Sequence, residues 1–160
     1  MLDIFNKLEP FFEDVYREIA VREYSRDRKT SPPTASKLLK EFSKEGILIM
    51  REDRNLLLFR ANRENYLFKD LATTYWRDLL SKELRPIRER LLFKRIILFG
   101  SIYKAENRID SDIDLFVDIK PTKIDFSTIE KRLRRKIQIH FENALKNEHL
   151  RANMEEGVEI

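Results

Sequence analysis

The stretch from Ile96 to Leu115 constrains this chain more than any other. Ile96-Ile97-Leu98-Phe99 is a continuous apolar run that stops at Gly100-Ser101. Asp112-Ile113-Asp114 opens a second apolar stretch after a spacer of ten residues. A short unbroken apolar run bounded by glycine predicts a strand buried on both faces. Glycine lets a backbone approach a phosphate closely, and a serine at the following helix start adds a hydroxyl where free N–H groups favour anions. Aspartates at i and i+2 of a strand point the same way, so Asp112 and Asp114 can both reach one divalent cation and the phosphates that it bridges. Beyond them Ile113, Leu115, Val117 and Ile119 alternate with Asp114, Phe116 and Asp118, which predicts a strand over 113–119. Ser127 to Lys136 reads as a basic helix whose charges form a solvated face. Ile137, Ile139 and Phe141 alternate with Gln138, His140 and Glu142 as a third strand, and Leu150 to Ile160 reads as a short helix with a terminal apolar pair. Strands alternating with helices predict an α/β arrangement.

The segment Leu98-Phe99-Gly100-Ser101 … Ser111-Asp112-Ile113-Asp114-Leu115 resembles the polymerase β-like minimal nucleotidyltransferases, whose motif is an apolar strand, Gly-Ser, a spacer and Ser-Asp-x-Asp-Leu. The resemblance covers 93–160, including the ending Met154-Glu155-Glu156-Gly157-Val158. It implies an NTP whose phosphates meet Gly100, Ser101 and Ser111. It also implies Mg²⁺ (or Mn²⁺) on Asp112 and Asp114, which are then the catalytic pair. Two departures stand out. Ala105 occupies a spacer position where glycine is common. Gln138 stands where a third carboxylate is expected, and a neutral amide is a weaker ligand for a hard cation and no general base. Strand rise puts Glu142 about 13 Å and His140 about 6.6 Å further along from Gln138, too remote to substitute without a bulge. His140 is then a half-buried strand residue.

The N-terminal half reads differently. Phe11 to Ala20 has apolar residues at helical spacing, and Arg22 to Lys29 is helix-compatible. Ser31-Pro32-Pro33 caps and starts a further helix through Ala35, Leu38, Leu39 and Phe42, which Gly46 ends. Ile47 to Met50 and Leu56 to Phe59, around the polar turn 51–55, form a hairpin. Residues 12–61 resemble the winged helix-turn-helix of MarR- and ArsR-like regulators. That resemblance implies duplex DNA as partner, with Thr34, Ser36, Lys37 and Lys40 on the recognition helix and Arg51 and Arg54 at the wing tip.

The whole is then α+β, with a winged helix over 1–61, linker helices over 62–92 and a nucleotidyltransferase-like mixed sheet with helices over 93–160. In the linker, the stripe Leu67, Phe68, Leu71, Ala72, Tyr75, Trp76, Leu79, Leu80 is too wide to face water and suits packing between the halves or in a homodimer. Pro86 is expected to interrupt this helix and open another over 87–92. The chain has no cysteine, which excludes disulfides and thiolate metal sites, and no stretch apolar enough to cross a bilayer, which points to the cytoplasm. Lys and Arg exceed Asp and Glu by 32 to 28, a small surplus concentrated at 22–44 and 131–136. Three functions remain open on this reading. One is a nucleotide-linked DNA-binding protein that holds NTP–Mg with little or no turnover. Another is an active transferase moving NMP to a protein, RNA or small molecule. The last is an antitoxin partner of a HEPN-type toxin.

Overall fold

The computed structural model describes residues 2–91 and 95–160. The chain divides into two compact units, Met1–Leu71 and Ala72–Ile160. It is a mixed α and β protein with two sheets among the described residues. Leu92 of the helix expected over 87–92, and the first residues of the segment 93–160, lie outside the described residues.

In the first unit helix α1 spans Asp3–Glu13, earlier than the expected 11–20. Asp14 ends it, because its Oδ1 accepts hydrogen bonds from the backbone N–H groups of Tyr16 (3.0 Å) and Arg17 (3.1 Å) and turns the chain. The buried stripe is therefore Phe5, Leu8, Phe11 and Phe12. Pro10 sits inside α1 and has no N–H to offer the carbonyl of Asn6. Arg28 supplies the missing donor, its Nη1 lying 2.9 Å from Asn6 O. Strand β1 (Ile19–Ala20) leads into α2 (Val21–Asp27) and α3 (Pro32–Lys44). Tyr24 of α2 stacks on Phe11 at 6.2 Å and donates its hydroxyl to Lys7 O at 2.8 Å. Ser31 Oγ caps α3 by accepting from Thr34 N, and Gly46 follows the helix with φ +73°, as expected of its stop. The hairpin is tighter than expected. Strands β2 (Leu48–Asp53) and β3 (Leu56–Ala61) leave only Arg54 and Asn55 in the turn, both left-handed at φ 47° and 64°. That mirror-type turn matches strand twist, so pairing runs on to Asp53↔Leu56. The sheet order is β1-β3-β2, all antiparallel.

Helix α4 (Tyr66–Leu91) is opened by Asn65, whose side chain accepts from Phe68 N at 3.1 Å. It runs through Pro86 without a break, contrary to expectation. Pro86 is exposed while Leu84 and Ile87 beside it are buried. The proline ring thus faces solvent, and tertiary burial of its neighbours outweighs the single lost hydrogen bond.

The second unit is built on a four-stranded sheet ordered β6-β5-β4-β7. Its strands are β4 (Ile96–Phe99), β5 (Ile113–Val117), β6 (Ile137–His140) and β7 (Val158–Glu159). Strand β5 pairs antiparallel with β4 and parallel with β6, and β7 pairs antiparallel with β4. Strands β5 and β6 are both shorter than expected: β5 stops before Asp118, and Phe141 and Glu142 leave β6 to start a 3₁₀ turn, Glu142–Lys146. Phe116, read as lying on a polar face, is buried with Ile97, Phe99 and Met154, because α7 (Glu148–Glu155) covers that side. Gly157 allows the return to the sheet, since a Cβ there would stand 2.6 Å from Leu98 O. Between β5 and β6 lies α6, Ser127–Leu133, ended by Arg134 in the left-handed region at φ 54°. The helix is thus shorter than the run 127–136.

Candidate active site

The site forms at one end of the second sheet, where β4 finishes and β5 and β6 begin. Gly100 leaves β4 with φ +74° and starts the short helix α5 (Gly100–Tyr103). A Cβ on Gly100 would lie 2.3 Å from Asp114 Oδ2, so this position needs glycine for both its backbone conformation and its space. Asp114 is the second residue of β5, flanked in register by Phe99 on one side and Gln138 on the other. Asp112 lies just before the strand, and its Oδ2 accepts a hydrogen bond from Gln138 Nε2 at 2.6 Å. The aspartates, Gly100 and Gln138 are therefore gathered at one point. Burial raises the Asp114 pKa from its ordinary value; His140 opposes this and the neighbouring Asp112 adds to it. Two anions held together this way are a place where a cation is welcome.

His140 corrects the expectation of remoteness. Its Nε2 lies 3.9 Å from Asp114 Oδ1, and its ring packs 5.3 Å from that of Phe99. The displacement along β6 is real, but parallel pairing lets a long side chain lean back across it. Ser101 sits beside Gly100 in α5, half-buried, its carbonyl accepting from Glu106 N at 2.8 Å. Ser111 is less available, since its Oγ accepts from Arg108 N at 2.9 Å within the turn before Asp112. Ala105 stands in the left-handed region at φ 52° and is buried, so the residue that replaces the common glycine keeps a glycine-like backbone.

Arg135 is the residue that sequence reasoning missed. It was read as part of a solvated basic face, yet it is buried, 4% exposed. Its Nη1 donates to the carbonyls of Arg108 (2.8 Å) and Ser111 (2.6 Å), and its guanidinium lies 5.3 Å above the Trp76 ring. Two charge-assisted bonds thereby pin the turn that delivers Asp112. No local signal marks Arg135 among five basic residues in six; only its tertiary partners set it apart.

Among the described residues no three or more His, Cys, Asp or Glu side chains gather as a ready metal cage. The donor set at the sheet end is the two carboxylates of Asp112 and Asp114, with Gln138 presenting its amide N–H to Asp112 Oδ2. Hard oxygen ligands of this kind suit one divalent cation that keeps several waters, and the neutral amide offers little to a second.

In the first unit Thr34, Lys37 and Lys40 are exposed on α3 and Ser36 is half-exposed. Thr34 Oγ1 is 2.7 Å from Ser31 Oγ. Arg54 is exposed in the hairpin turn. Arg51 is engaged instead. Its Nε and Nη2 meet the two carboxylate oxygens of Glu18 at 2.7 and 2.6 Å, and Glu18 is accordingly held below its ordinary pKa.

A family model described as a nucleotidyltransferase domain matches residues 81–160. The chain belongs to this nucleotidyltransferase family. A curated relative, a putative protein adenylyltransferase of Methanocaldococcus jannaschii, is 29% identical over 88 residues, which are 51% of this chain and 90% of the relative. No solved structure matches. The family's model thus takes in the whole second sheet of this chain and the last part of α4. Among the described residues no helix is long and apolar enough to cross a membrane.

Proposed function

We infer that this nucleotidyltransferase binds an NTP with one divalent cation on Asp112 and Asp114 and transfers the nucleoside monophosphate slowly to a hydroxyl of a protein. The observation that carries this reading is the convergence of Gly100, Asp112, Asp114 and Gln138 at one sheet end, with Gln138 bonded to Asp112. Gly100 leaves room for Asp114 Oδ2 against the start of α5, so phosphate oxygens that meet the backbone there lie beside the aspartates, with Ser101 alongside. The cation neutralises phosphoryl oxygens when bound. In the transfer the acceptor oxygen bonds the α-phosphorus, and the bond from that phosphorus to the bridging oxygen breaks. Pyrophosphate leaves with that oxygen, and the hydroxyl proton passes to solvent. Gln138 cannot take the proton, and loss of an acid–base partner typically costs 10²–10⁴-fold in rate, so slow turnover is expected. The protein acceptor is suggested by the name of the archaeal relative.

Calorimetry with ATP and GTP, with and without Mg²⁺, tests the binding. Asp112→Asn is expected to weaken NTP–Mg by about tenfold or more, roughly 1.4 kcal/mol. Label transfer by Gln138→Asp beside the wild type tests the chemistry, and the variant should be faster. Fast transfer by the wild type and a slower Gln138→Asp variant would show that the third ligand lies elsewhere.

A second reading concerns the first unit. Three helices on a three-stranded antiparallel sheet support a winged helix, and Lys37, Lys40 and Lys44 at i, i+3 and i+7 present one row of cations along the exposed face of α3. With Arg54 in the hairpin turn they suit duplex DNA, Arg51 being held by Glu18.

A further inference from the structure

Beside Asp112, on the β6 flank of the sheet end, lies a recess of about 370 Å³. Its walls carry Lys131, Arg134 and Lys136 together with Ser127, and Asp112 itself opens into it. We propose that this recess selects the acceptor by binding an acidic segment of a protein next to the modified hydroxyl; this rests on the transfer reading given above.

The position argues first. Gly100 flanks Asp114 from the end of β4, whereas the recess meets Asp112 from the start of β6. Nucleotide phosphates on the Gly100 side leave the opposite side of the aspartates for the incoming hydroxyl. Charge argues second. Lys131 and Arg134 are exposed and have no carboxylate partner among the described residues, whereas Lys136 shares Glu130 at 3.5 Å. Glu130 is itself occupied, its Oε1 accepting from Ile137 N at 2.9 Å. The wall carries Asp110, Asp112 and Glu130 against Lys131, Arg134, Arg135 and Lys136, a surplus of one positive charge, and the two cations without a carboxylate partner among the described residues, Lys131 and Arg134, are the ones open to a ligand.

Backbone geometry argues third. Arg134 holds φ 54° at the end of α6, a place that glycine fills at least cost. A left-handed non-glycine residue costs about 1 kcal/mol and persists where the surrounding structure holds it. Arg134 thus puts a long cationic side chain on the recess wall from a backbone conformation that glycine would adopt more readily.

An acidic peptide fits this lining better than a nucleic-acid strand. Sites for single strands combine basic grooves with aromatic platforms for the bases, and among the described residues no aromatic side chain lines the recess. Its size suits one or two carboxylate side chains on either side of a serine or tyrosine.

The test uses fluorescent peptides, Glu-Glu-Tyr-Glu-Glu and Gln-Gln-Tyr-Gln-Gln, and a short oligo(A) RNA, read by anisotropy in the presence of ATP and Mg²⁺. The comparison protein carries Lys131→Gln with Arg134→Asn, asparagine being tolerant of the left-handed backbone. The acidic peptide should bind wild type about tenfold more tightly than the neutral one, a gap that closes in the double variant and with rising salt. The labelled product should likewise form on the acidic peptide first. Equal affinity for the two peptides overturns the proposal, as does stronger binding of the RNA than of either peptide. Calorimetry of ATP–Mg on both proteins separates the two claims. If wild type binds no ATP–Mg, the transfer reading fails; if both proteins bind it equally and no peptide preference appears, the recess proposal alone fails.

Discussion

Gly100 shows how much a single residue can decide. Its left-handed φ turns the chain from strand to helix, and its missing side chain leaves room for Asp114 Oδ2. Gly100→Ala adds a strain of about 1 kcal/mol and a methyl group where the carboxylate lies. The variant should melt a few degrees lower by circular dichroism, yet lose ATP–Mg affinity by about tenfold or more, because Asp114 must move. Unchanged affinity would mean that the phosphates do not approach on this side. Gln138 is the complementary case. Its amide satisfies Asp112 with no added negative charge, which stabilises the aspartate pair and weakens the demand for a second cation. Both residues were legible in sequence, glycine from its place after an apolar run and glutamine from the resemblance, which puts a carboxylate at its position. Their contact partners were not, since Asp112 and Gln138 are separated by 26 residues.

At the scale of elements, α1 and α6 carry the lesson. Periodicity marked apolar residues near position 12, but where the helix ended was set by Asp14, and its passage through Pro10 by Arg28. Arg28 stands 22 residues from the carbonyl that Pro10 leaves open, and its Nη1 also meets Glu9. Arg28→Met keeps an apolar stem and removes both bonds. It should destabilise the chain by about 1–3 kcal/mol, the cost of a polar group left without its partner, measured as a lower urea midpoint at unchanged slope. A loss below 0.5 kcal/mol, on the order expected for a surface change, would show that Asn6 O is served by solvent. In α6 the same blindness ran the other way. A run of five basic residues in six looked like one solvated face, yet its last turn is broken at Arg134 and Arg135 turns inward to the turn before Asp112.

For the molecule as a whole, charge is the property that sequence and structure share. Lys and Arg outnumber Asp and Glu by 32 to 28, and a surplus so small matters only where it is concentrated. One concentration is the lysine row of α3, proposed for duplex DNA, and the other is the recess beside Asp112. The intact chain should bind duplex DNA in fluorescence anisotropy with an affinity that falls steeply as salt rises. Lys37→Ala with Lys40→Ala should weaken that binding and flatten its salt slope, while Arg51→Ala should change it little because Arg51 is already paired with Glu18. Binding indifferent to the lysine substitutions would remove α3 from the interface.

By itself the sequence determined the elements that depend on neighbours along the chain. It marked the buried strand before Gly100, the aspartates at i and i+2, the serine cap and glycine stop of α3, and the buried line Phe68, Ala72, Tyr75, Trp76 and Leu80 of α4, since each rests on a period or a local backbone requirement. Leu67 of the same stripe is exposed. The tertiary structure decided what depends on residues far apart. It bonded Gln138 to Asp112, brought His140 within 3.9 Å of Asp114, buried Arg135 over Trp76 and carried α4 past Pro86. The physical reason is common to all four. A polar or strained group is placed by whichever partner can satisfy it, and in a folded chain that partner is set by strand pairing and burial, which no local pattern encodes.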